Sequence, residues 1–306
     1  MNVLIVGAGA IGGYFGGRLL EKGRDVTFLV RESRKASLEK NGLKIVSNHG
    51  NSVQKPKLIT TSNQTEETYD LIILSTKSYH LEQAIKDIQR FTNENTMILP
   101  LLNGIAHIDR LTESFGDDAV IGGLCFIETT LDDNGTIIQK SPIHHLVYGE
   151  LTGKITPRIK ALQSLFEGAN AFFEPSETIK QDMWQKYLFI TTLSGITSLM
   201  ESPVGPIMEI TNGRKTVESL LNEIATVMYK IGAPIEDTIV NDLVGKIGSM
   251  SYDMKSSMQR DMEKSLPLEA DHLQGYLLYH AHKQNIPVPI LETIYTKLKL
   301  YENNRT

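Results

Sequence analysis

An α/β fold with a doubly wound parallel sheet, followed by an all-helical C-terminal half, is the architecture this sequence predicts. Three features carry that prediction. A strand runs directly into a glycine turn at residues 2–12, two further apolar runs end in polar residues at 70–77 and 97–104, and helical periodicity continues almost unbroken beyond Thr178.

The opening segment is Asn2-Val3-Leu4-Ile5-Val6 followed by Gly7-Ala8-Gly9-Ala10-Ile11-Gly12. Gly7 permits a sharp turn out of the strand, Gly9 lets backbone approach a pyrophosphate, and Gly12 lets the next helix pack closely on the sheet. Free N–H groups at the helix start then face phosphate. Ile11, Phe15, Leu19 and Leu20 recur at helical spacing, Gly23 suits a helix C-cap, and Asp25 to Val30 reads as the second strand, completing a βαβ unit of Rossmann type.

A site that prefers NAD places Asp or Glu at the end of that second strand, where it accepts from the ribose 2′-OH. Here the position holds Arg31, whose guanidinium can make two charge-assisted bonds to a 2′-phosphate, so the expected cofactor is NADP(H). Glu32 follows immediately and pulls the other way, while Arg34 and Lys35 read as surface charges.

Gly42 to Val46 and Ser52 to Thr61 read as short strands around a turn at Asn48-His49-Gly50-Asn51. Asp70 to Thr76 is a continuous apolar run ending in polar residues, as expected of a parallel strand buried on both faces, with Lys77 just beyond it. Met97 to Leu102 repeats the pattern and stops at Asn103-Gly104. Ligands of open α/β sheets bind outside the carboxyl edges of the strands, so the glycine turn, Arg31, Lys77 and Asn103 are expected to converge. Alternation from Val120 to Gly149 around Asp133-Asn134-Gly135 predicts a hairpin that adds antiparallel edge strands to the sheet. A helix from about Pro157 and a short strand at Ala171-Phe172-Phe173 close this half. The expected domains are residues 1–176, binding NADP, and residues 177–306, helical and carrying substrate and catalysis.

Composition excludes several classes. A net charge of −5 without a basic stripe argues against nucleic-acid binding, and no apolar stretch reaches the length of a bilayer span. The only cysteine, Cys125, can form no intrachain disulfide, and the first strand begins where a leader would stand, so a cytoplasmic protein is expected. No spaced Cys/His cluster suggests a metal. Apolar helices in the second half would suit a homodimer surface.

In that half, one helix between Asp182 and Met200 aligns Lys186 with Ile190, Leu193, Ser194 and Thr197. A lysine desolvated there would have a lowered pKa suited to proton donation, although one that snorkels at the edge of the stripe fits the spacing equally. Glu269 stands near a helix start, where it either serves chemistry or favours the helix dipole.

Gly7-Ala8-Gly9-Ala10-Ile11-Gly12, Ser75-Thr76-Lys77, Asn103-Gly104, Trp184-Gln185-Lys186, Ser256-Ser257-Met258-Gln259-Arg260-Asp261 and Glu269-Ala270-Asp271, in that order and at those separations, resemble the ketopantoate reductase (2-dehydropantoate 2-reductase) family over essentially the full length. The resemblance implies NADPH-dependent reduction of ketopantoate to pantoate, a step of pantothenate and coenzyme A biosynthesis. It implies that Lys186 is the general acid and that Glu269 orients substrate and lysine and reaches the cofactor. By the same resemblance Asn103 positions cofactor and substrate, Ser257 meets the substrate carboxylate, and Lys77 and Arg31 touch the cofactor. The family repeats asparagines along its catalytic helix; here Ile190 and Ser194 stand at two of those places and Val204 at a third, leaving Ser194 as the polar substrate contact. That departure opens the alternative of another branched or aromatic 2-oxo acid. A non-catalytic NADP-sensing module is the alternative from a different class.

Overall fold

The computed structural model describes residues 1–63 and 66–305, which fall into two compact units. The first comprises residues 1–102 and 107–180; the second comprises residues 103–106 and the chain from Gln181 onward.

Among the described residues, ten strands and five α-helices build the first unit, the fourth helix starting one residue inside the second. The strands are β1 (Asn2–Val6), β2 (Asp25–Leu29), β3 (Leu43–Ser47), β4 (Ser52–Gln54), β5 (Lys57–Ile59), β6 (Leu71–Leu74), β7 (Met97–Pro100), β8 (Gly122–Leu131), β9 (Ile137–Gly149) and β10 (Phe172–Pro175). The helices are α1 (Ala10–Glu21), α2 (Glu32–Asn41), α3 (Leu81–Ile88), α4 (Ala106–Phe115) and α5 (Pro157–Phe166). A parallel sheet runs in the order β5-β2-β1-β6-β7, with β1 and β6 buried along their apolar lengths because helices cover both faces.

The predicted hairpin is present, but β8 and β9 do not extend an edge of that sheet. They form a second, mixed sheet in the order β10-β9-β3-β4, with β8 antiparallel to β9, and β7 is bridged to the chain just before β8 at Ile98–Val120. The reason lies in α1, whose glycines come in adjacent pairs. A Cβ on Gly16 would fall 2.7 Å from the Phe28 ring, whereas one on Gly17 would fall 2.6 Å from Ile45 and one on Gly13 2.6 Å from Ile137. One face of α1 thus packs on the parallel sheet and the other on β3 and β9. The helix is enclosed by apolar surface on two sides, and a second sheet supplies the outer one.

The second unit is helical: α6 (Ile179–Met200, whose first two residues still belong to the first unit), α7 (Val204–Glu209), α8 (Thr211–Lys230), α9 (Ile239–Gly248), α10 (Ser257–Glu263), α11 (Tyr276–Lys283) and α12 (Pro289–Asn304). A π turn at Asp271–Gly275 leads into α11. Val217, Leu220, Leu221, Ile224 and Met228 give α8 a fully buried face, and Glu223 caps α12 by accepting from the backbone N–H groups of Ile290 and Leu291 at 3.0–3.1 Å. Pro289 starts α12 without wasting a donor. From Thr191 to Ser198 every residue of α6 is buried, including five hydroxyl side chains, so this helix is a polar spine within the unit's apolar core.

Candidate active site

The glycine turn leaves β1 at Gly7, which adopts φ +94. A Cβ at Gly12 would stand 2.0 Å from Ser75 Oγ and 2.4 Å from the Gly7 carbonyl, while the space beside Gly9 is open. Ser75, at the end of β6, donates to the carbonyls of Val6 (3.0 Å) or Gly7 (3.1 Å), locking the ends of β1 and β6 together. Gly9 is the N-cap of α1 and offers no side chain to the helix N–H groups. The residues Gly7, Ala8, Gly9, Ala10, Ile11 and Gly12 therefore form a bare cradle at a helix start, which fits a pyrophosphate.

Arg31 is exposed just after β2, and its Nη2 donates to Nε2 of His80 at 2.8 Å. Burial, with the Arg31 charge beside it, lowers the His80 pKa, and because a guanidinium only donates, the Nε2 that faces it accepts. His80 in turn donates its backbone N–H to the Lys77 carbonyl, so Arg31 and the half-buried Lys77 belong to one loop cluster. Glu32 is turned elsewhere: its Oε1 accepts from Thr60 Oγ1 at 2.6 Å and Ser62 Oγ at 2.8 Å, and those hydroxyls hold its pKa below the usual range.

Two residues here escaped sequence reasoning. His80 carries no motif. Arg34, read as a surface charge, is half-buried: its Nε donates to the Ala8 carbonyl and its Nη2 to the Gly135 carbonyl, both at 3.1 Å. It splints the glycine turn to the tip of the β8–β9 hairpin, and burial lowers its pKa. The hint was its place in the first turn after Arg31, three residues on and facing back along the helix.

The helical unit holds the remaining candidates. Lys186 is half-buried on α6, and Glu269 is buried just before the π turn. Their segments are pinned to each other. The hydroxyl of buried Tyr187, the neighbour of Lys186, donates to the Leu273 carbonyl at 2.5 Å, and Nε2 of buried Gln274 lies 3.3 Å from the Thr191 carbonyl and 3.1 Å from Ser194 Oγ. A π turn widens the helix, and such turns mark functional positions often. Here it turns a carbonyl and an amide toward α6. Ser194 is buried against Gln274, Ile190 is half-buried and Val204 is buried.

Asn103 and Gly104 follow β7 in the chain but cluster with the helical unit. Gly104 adopts φ +86, and a Cβ there would lie 3.0 Å from Cδ2 and 3.1 Å from Nε2 of His272. Ser257 is exposed at the first position of α10. Its neighbour Ser256 is the buried N-cap, accepting from the Gln259 backbone N–H at 3.0 Å and from Thr197 Oγ1 at 2.8 Å. Among the described residues no cluster of His, Cys, Asp and Glu is arranged to hold a metal, and no helix is long and apolar enough to cross a membrane.

The family model for ketopantoate reductase PanE/ApbA matches residues 3–153, and the model for the C-terminal part of ketopantoate reductase PanE/ApbA matches residues 178–302. The uncharacterized oxidoreductase YkpB of Bacillus subtilis (strain 168) is 44% identical over 302 residues, covering 99% of each chain. The crystal structure of 2-dehydropantoate 2-reductase from Geobacter metallireducens GS-15 superposes with a TM-score of 0.87 at 27% identity, over 98% of this chain and 99% of that one. At 22% identity, the ternary structure of D-mandelate dehydrogenase with NADH and anilino(oxo)acetate shares the fold, with a TM-score of 0.89 over 99% and 98% of the two chains.

Proposed function

Since this chain belongs to the ketopantoate reductase PanE/ApbA family and is an oxidoreductase of that family, we propose that it reduces the C2 ketone of ketopantoate to pantoate with NADPH, a step of pantothenate and coenzyme A biosynthesis. The observation that carries this reading is the double tie between α6 and the π turn, through Tyr187 and Gln274, which holds the segments bearing Lys186 and Glu269 in fixed register.

The glycine turn would hold the pyrophosphate, and Arg31 with Lys77 would meet the adenosine phosphate. Occupation of Glu32 by Thr60 and Ser62 supports the phosphorylated cofactor, because the carboxylate next to Arg31 is already engaged as an acceptor. When bound, the cofactor supplies a hydride to C2. Lys186 donates a proton to the ketone oxygen as negative charge develops there, and its ammonium stabilises that charge, so it acts as both acid and electrostatic partner. Glu269 orients the ammonium and a substrate hydroxyl, Asn103 aligns the carbonyl, and Ser257 meets the substrate carboxylate, with Ser194 as a further polar contact.

A second reading rests on Ile190 and Val204, apolar where the family repeats asparagine. Loss of those amides lowers the polarity available to a hydroxylated substrate and favours a branched or aromatic 2-oxo acid. Loss of NADPH absorbance, measured with ketopantoate and a panel of branched and aromatic 2-oxo acids, decides between them. Ketopantoate is expected to give the highest kcat/KM; an aromatic acid that outruns it would replace the first reading with the second, and no turnover with any acid would overturn both.

A further inference from the structure

The helical unit contains one group that neither the motif nor the proposed chemistry uses: His272, the second residue of the π turn. Three observations converge on it. Its ring edge, Cδ2 and Nε2, lies at 3.0–3.1 Å from where a Gly104 side chain would begin, so a side chain at residue 104 would crowd this imidazole. The ring hydrogen-bonds to the backbone of Asn103, and a ring N–H can satisfy only the carbonyl there. Glu269 stands three residues earlier and acts on the ring electrostatically, so the carboxylate and the imidazole share one side of the segment.

We propose that His272 is a positioning residue for the reductase reaction, in which its imidazole fastens the Asn103-Gly104 turn to the segment carrying Glu269 and thereby sets the direction of the Asn103 amide. The inference rests on the roles given above to Asn103 and Glu269, and adds the part that holds them in one frame. The geometry explains why residue 104 is glycine on two counts. The positive φ disfavours a side chain, and the ring fills the space that a Cβ would need. His272 is half-buried, and burial lowers its pKa against the opposing pull of the Glu269 charge and the Asn103 hydrogen bond.

The test compares His272→Leu, His272→Gln and Gly104→Ala with the wild-type enzyme, using NADPH and whichever 2-oxo acid the wild type reduces best. His272→Leu removes the donor while filling the space, and kcat is expected to fall about 10–100-fold, the scale of a misplaced positioning group, with KM for NADPH held within about twofold. His272→Gln offers an N–H at similar reach and is expected to recover most of that loss. Gly104→Ala, with His272 intact, is expected to lower kcat in the same way by pushing the ring off the turn, and stands as the test if the leucine variant does not fold. Wild-type kcat in His272→Leu or in Gly104→Ala, or a glutamine variant as slow as the leucine one, would overturn this inference alone. A wild-type protein inactive on every 2-oxo acid would overturn the proposed function and this inference with it.

Discussion

The two units differ in where the polar groups nearest the candidate residues find their partners. In the sheet-bearing unit, side chains near the glycine turn bind backbone: Ser75 donates to carbonyls of β1 or the turn, and Arg34 donates to the carbonyls of Ala8 and Gly135. In the helical unit, bonds between side chains, Thr197 to Ser256 and Gln274 to Ser194, stand beside bonds to backbone, Tyr187 to a carbonyl of the π turn and Gln274 to the Thr191 carbonyl. On the proposed function, the first arrangement shapes main-chain N–H groups to receive a dinucleotide phosphate, and the second sets the side chains around the substrate. Recognition through backbone fixes glycine spacing, and recognition through side chains leaves composition free to drift.

Four changes separate the units experimentally. The largest effect belongs to the helical one: Lys186→Met is expected to lower kcat by about 10²–10⁴-fold, the range for a positioned acid, in steady-state NADPH oxidation. Undiminished turnover would remove the lysine from the chemistry.

The next belongs to the sheet-bearing unit and to pH. Burial first, then His49, Arg18 and His145 nearby, push His144 down to about 4 from the ordinary 6.5, while its Nδ1 pairs with the Tyr14 hydroxyl at 2.7 Å. Between those values the unfolded chain binds the extra proton, so stability is complete above pH 6.5 and is lost as pH falls toward 4. The expected loss is about 2–3 kcal/mol, read as earlier hydrogen exchange in β9 and α1 than in α8. His144→Phe should flatten that slope; an unchanged slope would remove His144 as its cause.

Arg31→Ala comes third. NADPH affinity is expected to fall about 10–100-fold, the scale of charge-assisted bonds, with NADH affinity nearly unchanged, and isothermal titration with both cofactors reads the difference. Equal losses for both would mean that Arg31 supports the fold of the loop with His80 and does not read the 2′-phosphate. The smallest effect is structural and confined to the helical unit. Glu223→Ala uncaps α12 and is expected to cost about 0.5–2 kcal/mol, measured by chemical denaturation, without changing NADPH affinity. A change in cofactor binding would show that the units are not energetically separate.

What was legible in the sequence follows the same division. The βαβ opening and the ends of β6 and β7 could be read because each obeys a local rule, strand into glycine turn or apolar run into polar crown. The hairpin at Asp133-Asn134-Gly135 could be read as a hairpin, but not as part of a second sheet, because its partners β3 and β10 lie far off in the chain and only the paired glycines of α1 demand them. The π turn was invisible for a different reason: Leu273 and Leu277 keep helical spacing across it, and the extra backbone atoms leave no mark on hydrophobic periodicity. Gln274 and His272 consequently looked like ordinary helix residues. Arg34 looked like surface because its partners are carbonyls, which composition does not display.

On the proposed function one unit reads the cofactor and the other performs the chemistry, a division that a crossed pair of measurements tests most directly. NADPH dissociation constants and kcat at saturating cofactor, determined on both Arg31→Ala and Lys186→Met, should separate: the arginine variant binds weakly yet turns over at nearly the wild-type rate once saturated, and the lysine variant binds normally yet scarcely turns over. Parallel losses of both quantities in either variant would contradict the division.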